Sequence, residues 1–192
     1  LSPPDGADLP ATTRSVLDET ICMQQLVDDL LVLARSDAGL ASNRRETVDL
    51  DEIVARQVQR MRAAGRVAVD ARGVGAAQVD GDPARLGRAL GNVVDNAVRH
   101  ARSTVTITLA EQDGHAVLAV TDDGPGIPDD RRDEVFERFT RLDSARTVSA
   151  GGAGLGLAIA RDIVVDHGGT IAVDPDHHSG ARLVITLPLA PS

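Results

Sequence analysis

Three short stretches of this 192-residue sequence carry side chains whose types and spacing suit chemistry. The first is NVVDNAVRH, Asn92 to His100. On a helix, Asn92, Asn96, Arg99 and His100 fall on or near one face, while Val93, Val94, Ala97 and Val98 take the opposite side. An amide oxygen is a good Mg²⁺ ligand, and Mg²⁺ keeps only one or two protein ligands beside phosphates and water. A plain polar helix face is the alternative, although asparagine is a poor helix former. The second stretch is DDGPGIPDD, Asp122 to Asp130. Gly124 and Gly126 let a flat ring approach the backbone, and an aspartate at a strand end can accept from an exocyclic amine. A tight turn would use the same residues. The third is GGAGLGL, Gly151 to Leu157, which opens a helix whose free N–H groups and partial positive charge suit phosphates. A glycine run alone is a weak signal; three such signals in this order are a strong one.

Those stretches need elements to hold them. A helix is predicted from Ala11 to Asp37, where Val16, Thr20, Met23, Val27, Leu30 and Ala34 form an apolar stripe widened by Leu26, Leu31 and Leu33. Residues 39–46 form a polar linker. Beyond it the pattern alternates. Thr47–Leu50 reads as a strand and Asp51–Met61 as a helix, followed by strands at Val67–Ala71 and Ala77–Asp80. Asp82-Pro83 is a strong helix start, with Asp as N-cap and Pro in the first turn, and that helix runs to His100. Strands follow around Val105–Leu109 and Val117–Thr121, then a short helix near Arg132–Phe136, a helix over Leu155–His167, and strands at Thr170–Val173 and Arg182–Leu187. This order predicts an α+β fold, a two-layer α/β sandwich with helices on one face of a mixed sheet, preceded by one long amphipathic helix.

Composition narrows the chemistry. Hydrophobic content of 42% supports a packed core. All 20 basic residues are arginine, so a Walker-type phosphate loop, which needs a lysine, is excluded. A net charge of −9 argues against nucleic-acid binding. Cys22 is alone, so no disulfide or zinc framework exists. No apolar run approaches the roughly 20 residues of a membrane span.

The order NVVDNAVRH, DDGPGI, FERFTR, GAGLGL and the glycine of SGARLVITLP resembles the N, G1, F, G2 and G3 boxes of the catalytic ATP-binding domain of sensor histidine kinases. The likeness covers about residues 47–189 and implies the Bergerat-type ATP-binding fold shared with gyrase-, Hsp90- and MutL-type ATPases. It implies ATP and Mg²⁺ as ligands. Asn96 would be the metal ligand, with Asn92 ordering metal or water; Arg99 would contact phosphates and His100 the sugar or base. Asp122 would read the adenine amine, with Gly124, Gly126 and Ile127 shaping that pocket. Gly152, Gly154, Leu155, Gly156 and Leu157 would wrap the phosphates. Phe136 and Phe139 would anchor a lid, and Arg141 and Arg146 would be the cations nearest the γ-phosphate or the acceptor. Thr140 stands where an aromatic is common. Hydrolysing relatives carry glutamate where this chain has Asn92. An amide cannot serve as that base, so Asn92 favours transfer over hydrolysis.

Residues 1–38 resemble part of a dimerisation and histidine-phosphotransfer domain, with DETICMQQLVDDLLVLARSDAG as its second helix and LSPPDGADLP as the preceding loop. The resemblance implies that the phosphorylated histidine lies on a first helix before Leu1, that two copies pair through these helices, and that a response regulator receiver domain is the onward partner. His115, His167, His177 and His178 lack the setting of that acceptor, so this piece would not label itself. The 192 residues then read as a cytoplasmic piece of a protein anchored in the plasma membrane. Two other readings share the fold: an anti-sigma-factor serine kinase, and a regulatory module that holds nucleotide without catalysis.

Overall fold

The computed structural model describes residues 45–140 and 153–191, together with Thr20, Met23, Gln24, Val27, Leu30 and Leu31. The chain divides into two compact units, Leu1–Leu40 and Ala41–Ser192. In the first unit, the six described residues are helical, and Met23, Val27, Leu30 and Leu31 of the apolar stripe are exposed. The rest of the predicted helix lies outside the described residues.

The second unit begins with β1 (Glu46–Asp49), which pairs antiparallel with β3 (Gln78–Gly81). Between them come α1 (Leu50–Ala64) and β2 (Ala68–Val74). Then follow α2 (Pro83–His100), β4 (Thr104–Gln112), β5 (His115–Asp122), α3 (Gly156–Asp166), β6 (Thr170–Val173) and β7 (Arg182–Pro188). The main sheet has the order β2-β4-β5-β7-β6; β2 and β4 are parallel and the other pairs antiparallel. This is the mixed sheet with helices packed on it that the alternating pattern predicts.

Register explains where the core sits. Ile107 pairs with Val120 and Val120 with Leu183; Leu109, Leu118 and Ile185 form the next row. All six are buried, as are Leu90, Val93, Val94 and Ala97 of α2, which packs on β4 and β5, and Ile159 and Ile163 of α3, which packs on α2 and β6. Because side chains alternate along a strand, the pair Val105↔Asp122 puts Asp122 on this same inner face.

Capping places α2 as predicted. The Asp82 carboxylate accepts the N–H groups of Ala84 (2.9 Å) and Arg85 (3.2 Å), and Pro83 occupies the first turn. Such a cap stabilises a helix by about 1 kcal/mol. Two expectations need correction. The helix near Arg132–Phe136 is instead two single 3₁₀ turns, Asp129–Arg131 and Glu134–Phe136. The stretch DDRRDE has no apolar period, and only Val135 and Phe136 are buried. Strand β2 runs on to Val74, past the predicted end at Ala71, because a register shift between Asp70 and Gly73 lets pairing with β4 resume. Gly73 sits there against the Thr108 side chain, where a methyl group would crowd it.

Candidate nucleotide site

The site grows from the inner ends of β5, α2 and α3. Asp122 ends β5 at 2% exposure. Its Oδ1 accepts the N–H of Gly124 (2.8 Å) and of Ala181 (3.4 Å), while Oδ2 is buried without a partner. A carboxylate can accept several hydrogen bonds, so a buried oxygen left empty is an acceptor awaiting a donor. Burial pushes the Asp122 carboxyl above its usual range, against the two N–H donors and the nearby His100, which favour the charged form.

The glycines beside it let backbones close in where no side chain would fit. Gly180, at φ +116°, lies so close under the Asp122 carbonyl that any Cβ would collide with it. Gly126 lies against the Gly180 carbonyl, and Gly124 against that of His100. Asp123 fastens the same corner: it accepts from the Ser103 hydroxyl (2.5 Å) and from the backbone N–H groups of Arg102 (2.8 Å), Ser103 (3.0 Å) and Thr104 (3.2 Å). Those donors, the Ser103 hydroxyl foremost, hold its carboxyl well below the usual range.

On α2, Asn92 and Asn96 are half-buried and Arg99 is exposed. The Nδ2 of Asn92 is buried without a partner. Gly156, the first residue of α3, faces Asn92, and a Cβ there would sit 3.7 Å from the Asn92 side chain. One helix face thus meets the open N-terminus of another, where unpaired N–H groups concentrate positive potential. From Asn92 to His100 the helix rises roughly 12 Å.

Of the predicted residues, Asn92 and Gly156 come together at one point, and His100, Asp122, Gly124 and Gly126 at another. Leu155 is a core residue at 1% exposure, so only its backbone can face a ligand, while Ile127 and Leu157 are half-buried. The two phenylalanines differ. Phe136 is buried, whereas Phe139 is 62% exposed at φ +66°, uncommon for a bulky residue, and its N–H donates to Gly154 C=O at 2.9 Å. Arg141, Arg146 and Gly152 lie outside the described residues. Sequence reasoning placed Gly180, the glycine of SGARLVITLP, in the G3 box without giving it a contact, and missed Ala181 as a site residue.

The sequence profile of the histidine kinase-, DNA gyrase B-, and HSP90-like ATPase family matches residues 81–191. The chain belongs to that family. Within it, the similar proteins are sensor histidine kinases. The chain is 40% identical over 170 residues to the sensor protein IrlS of Burkholderia pseudomallei, covering 86% of this chain and 36% of that protein. It is 39% identical over 195 residues to the histidine-protein kinase/phosphatase MprB of Mycolicibacterium vanbaalenii, covering 98% and 39%. It therefore spans less than half the length of these relatives. Among solved structures, a mycobacterial sensor histidine kinase MprB superposes with a TM-score of 0.68 at 39% identity, covering 78% of this chain and all of that one. Full-length ShkA in complex with AMPPNP gives 0.81 at 26% identity, covering 99% and 41%. The chain thus carries the ATP-binding domain of a sensor histidine kinase. Among the described residues, no helix is long and apolar enough to cross a membrane.

Proposed function

We propose that this domain binds ATP with Mg²⁺ and donates the γ-phosphoryl group to a protein histidine, for onward transfer to an aspartate of a response regulator receiver domain. The observation that carries the reading is the pair of orphaned buried atoms, Asp122 Oδ2 and Asn92 Nδ2, beside glycines that let the backbone close in around them. Asp122 presents an acceptor that an adenine amine satisfies, flanked by Gly124, Gly126 and Ile127. Asn92, Arg99 and the first N–H groups of α3, with Gly154 and Gly156, surround the phosphates. His100 stands with the Asp122 group, against sugar or base.

Among the described residues, no three His, Cys, Asp or Glu side chains gather around a metal position. Asn96, assisted by Asn92, would share Mg²⁺ with the phosphates, and the ion would neutralise charge on the leaving and transferred groups. The protein's part is positioning. The P–O bond to the β-phosphate breaks, a P–N bond to the acceptor imidazole forms, the imidazole proton leaves to solvent and ADP departs. Asn92 offers an amide and no base, which suits transfer to an acceptor over activation of water. Arg141 and Arg146 are proposed to stabilise charge at the γ-phosphate. Residues 1–38 are proposed to belong to a dimerisation bundle through which two copies pair in a membrane-anchored protein, ahead of a catalytic domain at 47–189.

Incubation with γ-labelled ATP tests the reading. The 192-residue chain is expected to stay unlabelled, and a longer chain that includes the preceding helix to acquire an acid-labile phosphoimidazole. Labelling of the 192-residue chain on one of its own histidines would overturn this assignment of the acceptor.

A further inference from the structure

Helices α2 and α3 lie side by side in opposite directions, and the candidate site uses one end of the pair, where Asn92 meets Gly156. The other end is built around His167, which is 5% exposed. Its Nε2 accepts the backbone N–H of Asp82 at 3.1 Å, and its Nδ1 lies 2.6 Å from the Ile163 carbonyl. A backbone N–H only donates and a carbonyl only accepts, so the ring is fixed as the neutral tautomer with its proton on Nδ1. Gly81 leaves room for the ring, since a Cβ there would press on it. Around it, Arg85 of α2 pairs with Asp166 of α3 at 2.5 Å, and Arg45 donates to the Asp166 carbonyl at 2.7 Å.

We infer that His167 is a positioning residue for the nucleotide site, fixing the register of α3 along α2 and so aiming the first turn of α3 at the ligand. The inference rests on the nucleotide reading above. The two helices pack on each other, with Ile159, Ile163 and Val164 buried on α3 and Leu86, Leu90, Val93 and Val94 buried on α2. Apolar contact is non-directional and resists axial sliding weakly. The bond from Asp82 N–H to the imidazole is directional, and it joins the N-cap of α2 to the C-terminus of α3 across 85 residues of sequence. Over 11 residues α3 is a rod of roughly 16 Å, so displacement at His167 reappears at Gly156. Hydrogen bonds from α3 to a phosphate tolerate only a few tenths of an ångström.

The test is the affinity of the 192-residue chain for ATP–Mg²⁺ at neutral pH, by calorimetry. His167→Asn keeps a donor for the Ile163 carbonyl but cannot reach Asp82; binding weaker by about tenfold is expected, the worth of one buried hydrogen bond. His167→Gln places an amide oxygen near the Nε2 position and is expected to bind within about threefold of wild type. Val173→Ala, at a buried position of β6 outside both helices, lowers stability and should leave affinity unchanged. Should His167→Asn fail to fold, Arg85→Met breaks only the ion pair at the same end and should weaken binding about threefold. Wild-type affinity in His167→Asn, or in Arg85→Met where that variant stands in, overturns the inference, as does equal loss in the asparagine and glutamine variants. A wild-type chain that binds no ATP overturns the nucleotide reading itself and takes this inference with it.

Discussion

Gly180 lies directly beneath the carbonyl oxygen of Asp122, closer than any side-chained residue could come. The contact joins the start of the last strand to the end of β5 and brings the Ala181 N–H onto the Asp122 carboxylate. One oxygen of that carboxylate is thereby pinned and the other left buried and empty.

Asp122→Asn separates binding from folding. Burial makes the charge of this carboxylate costly to hold, and an asparagine Oδ1 can still accept from Gly124 and Ala181. Stability at neutral pH is expected to hold or rise. Affinity for ATP should fall tenfold or more, since a hydrogen bond to a charged group contributes about 1.5–3 kcal/mol. Parallel denaturant and binding curves check both halves, and unchanged affinity would contradict the adenine assignment.

Gly180→Ala places a methyl group where the Asp122 carbonyl already sits, at φ +116°. Destabilisation of at least about 1–3 kcal/mol is expected from backbone strain alone. Gly114 is a control: it also has positive φ, but nothing lies within 4 Å of a Cβ there. Its alanine variant should lose only about 1–2 kcal/mol. Equal urea midpoints for the two variants would refute close packing at Gly180.

His167 gives the fold an acid-sensitive joint. Burial lowers its pKa, and Arg85 and Arg45 push the same way. The unfolded chain therefore takes up the proton first. The stability His167 contributes is complete above about pH 6.5 and is lost as pH falls below it, at up to about 1.4 kcal/mol per unit. Urea midpoints between about pH 5 and pH 6.5 should fall in wild type and less steeply in His167→Gln. Parallel slopes would show that His167 is not the group responsible.

The three motifs were legible because each is local. Asn92 and Asn96 share a helix face by spacing alone, Asp82-Pro83 announces the start of that helix, and Gly156 opens the next. The strand alternation at Val105, Ile107 and Leu109 likewise marked an inner face. His167 and Ala181 act through partners 85 and 59 residues away, at Asp82 and Asp122, so no window of sequence shows those partners. His167 in particular read as the end of a helix, because nothing beside it in the chain reveals that both its nitrogens are engaged. The 3₁₀ turns after Pro128 escaped for another reason: charged residues without an apolar period fix no helix length.

We propose that one site, bounded by Asn92, Asp122 and Gly156, holds ATP together with Mg²⁺. Calorimetric titration of the wild-type chain with ATP, with and without Mg²⁺, and with GTP in place of ATP, tests it most directly. Saturable binding of one ATP per chain is expected, weakened when Mg²⁺ is withheld and lost with GTP, whose base presents a carbonyl where adenine presents an amine. Absence of saturable ATP binding, or GTP bound as tightly as ATP, would contradict it.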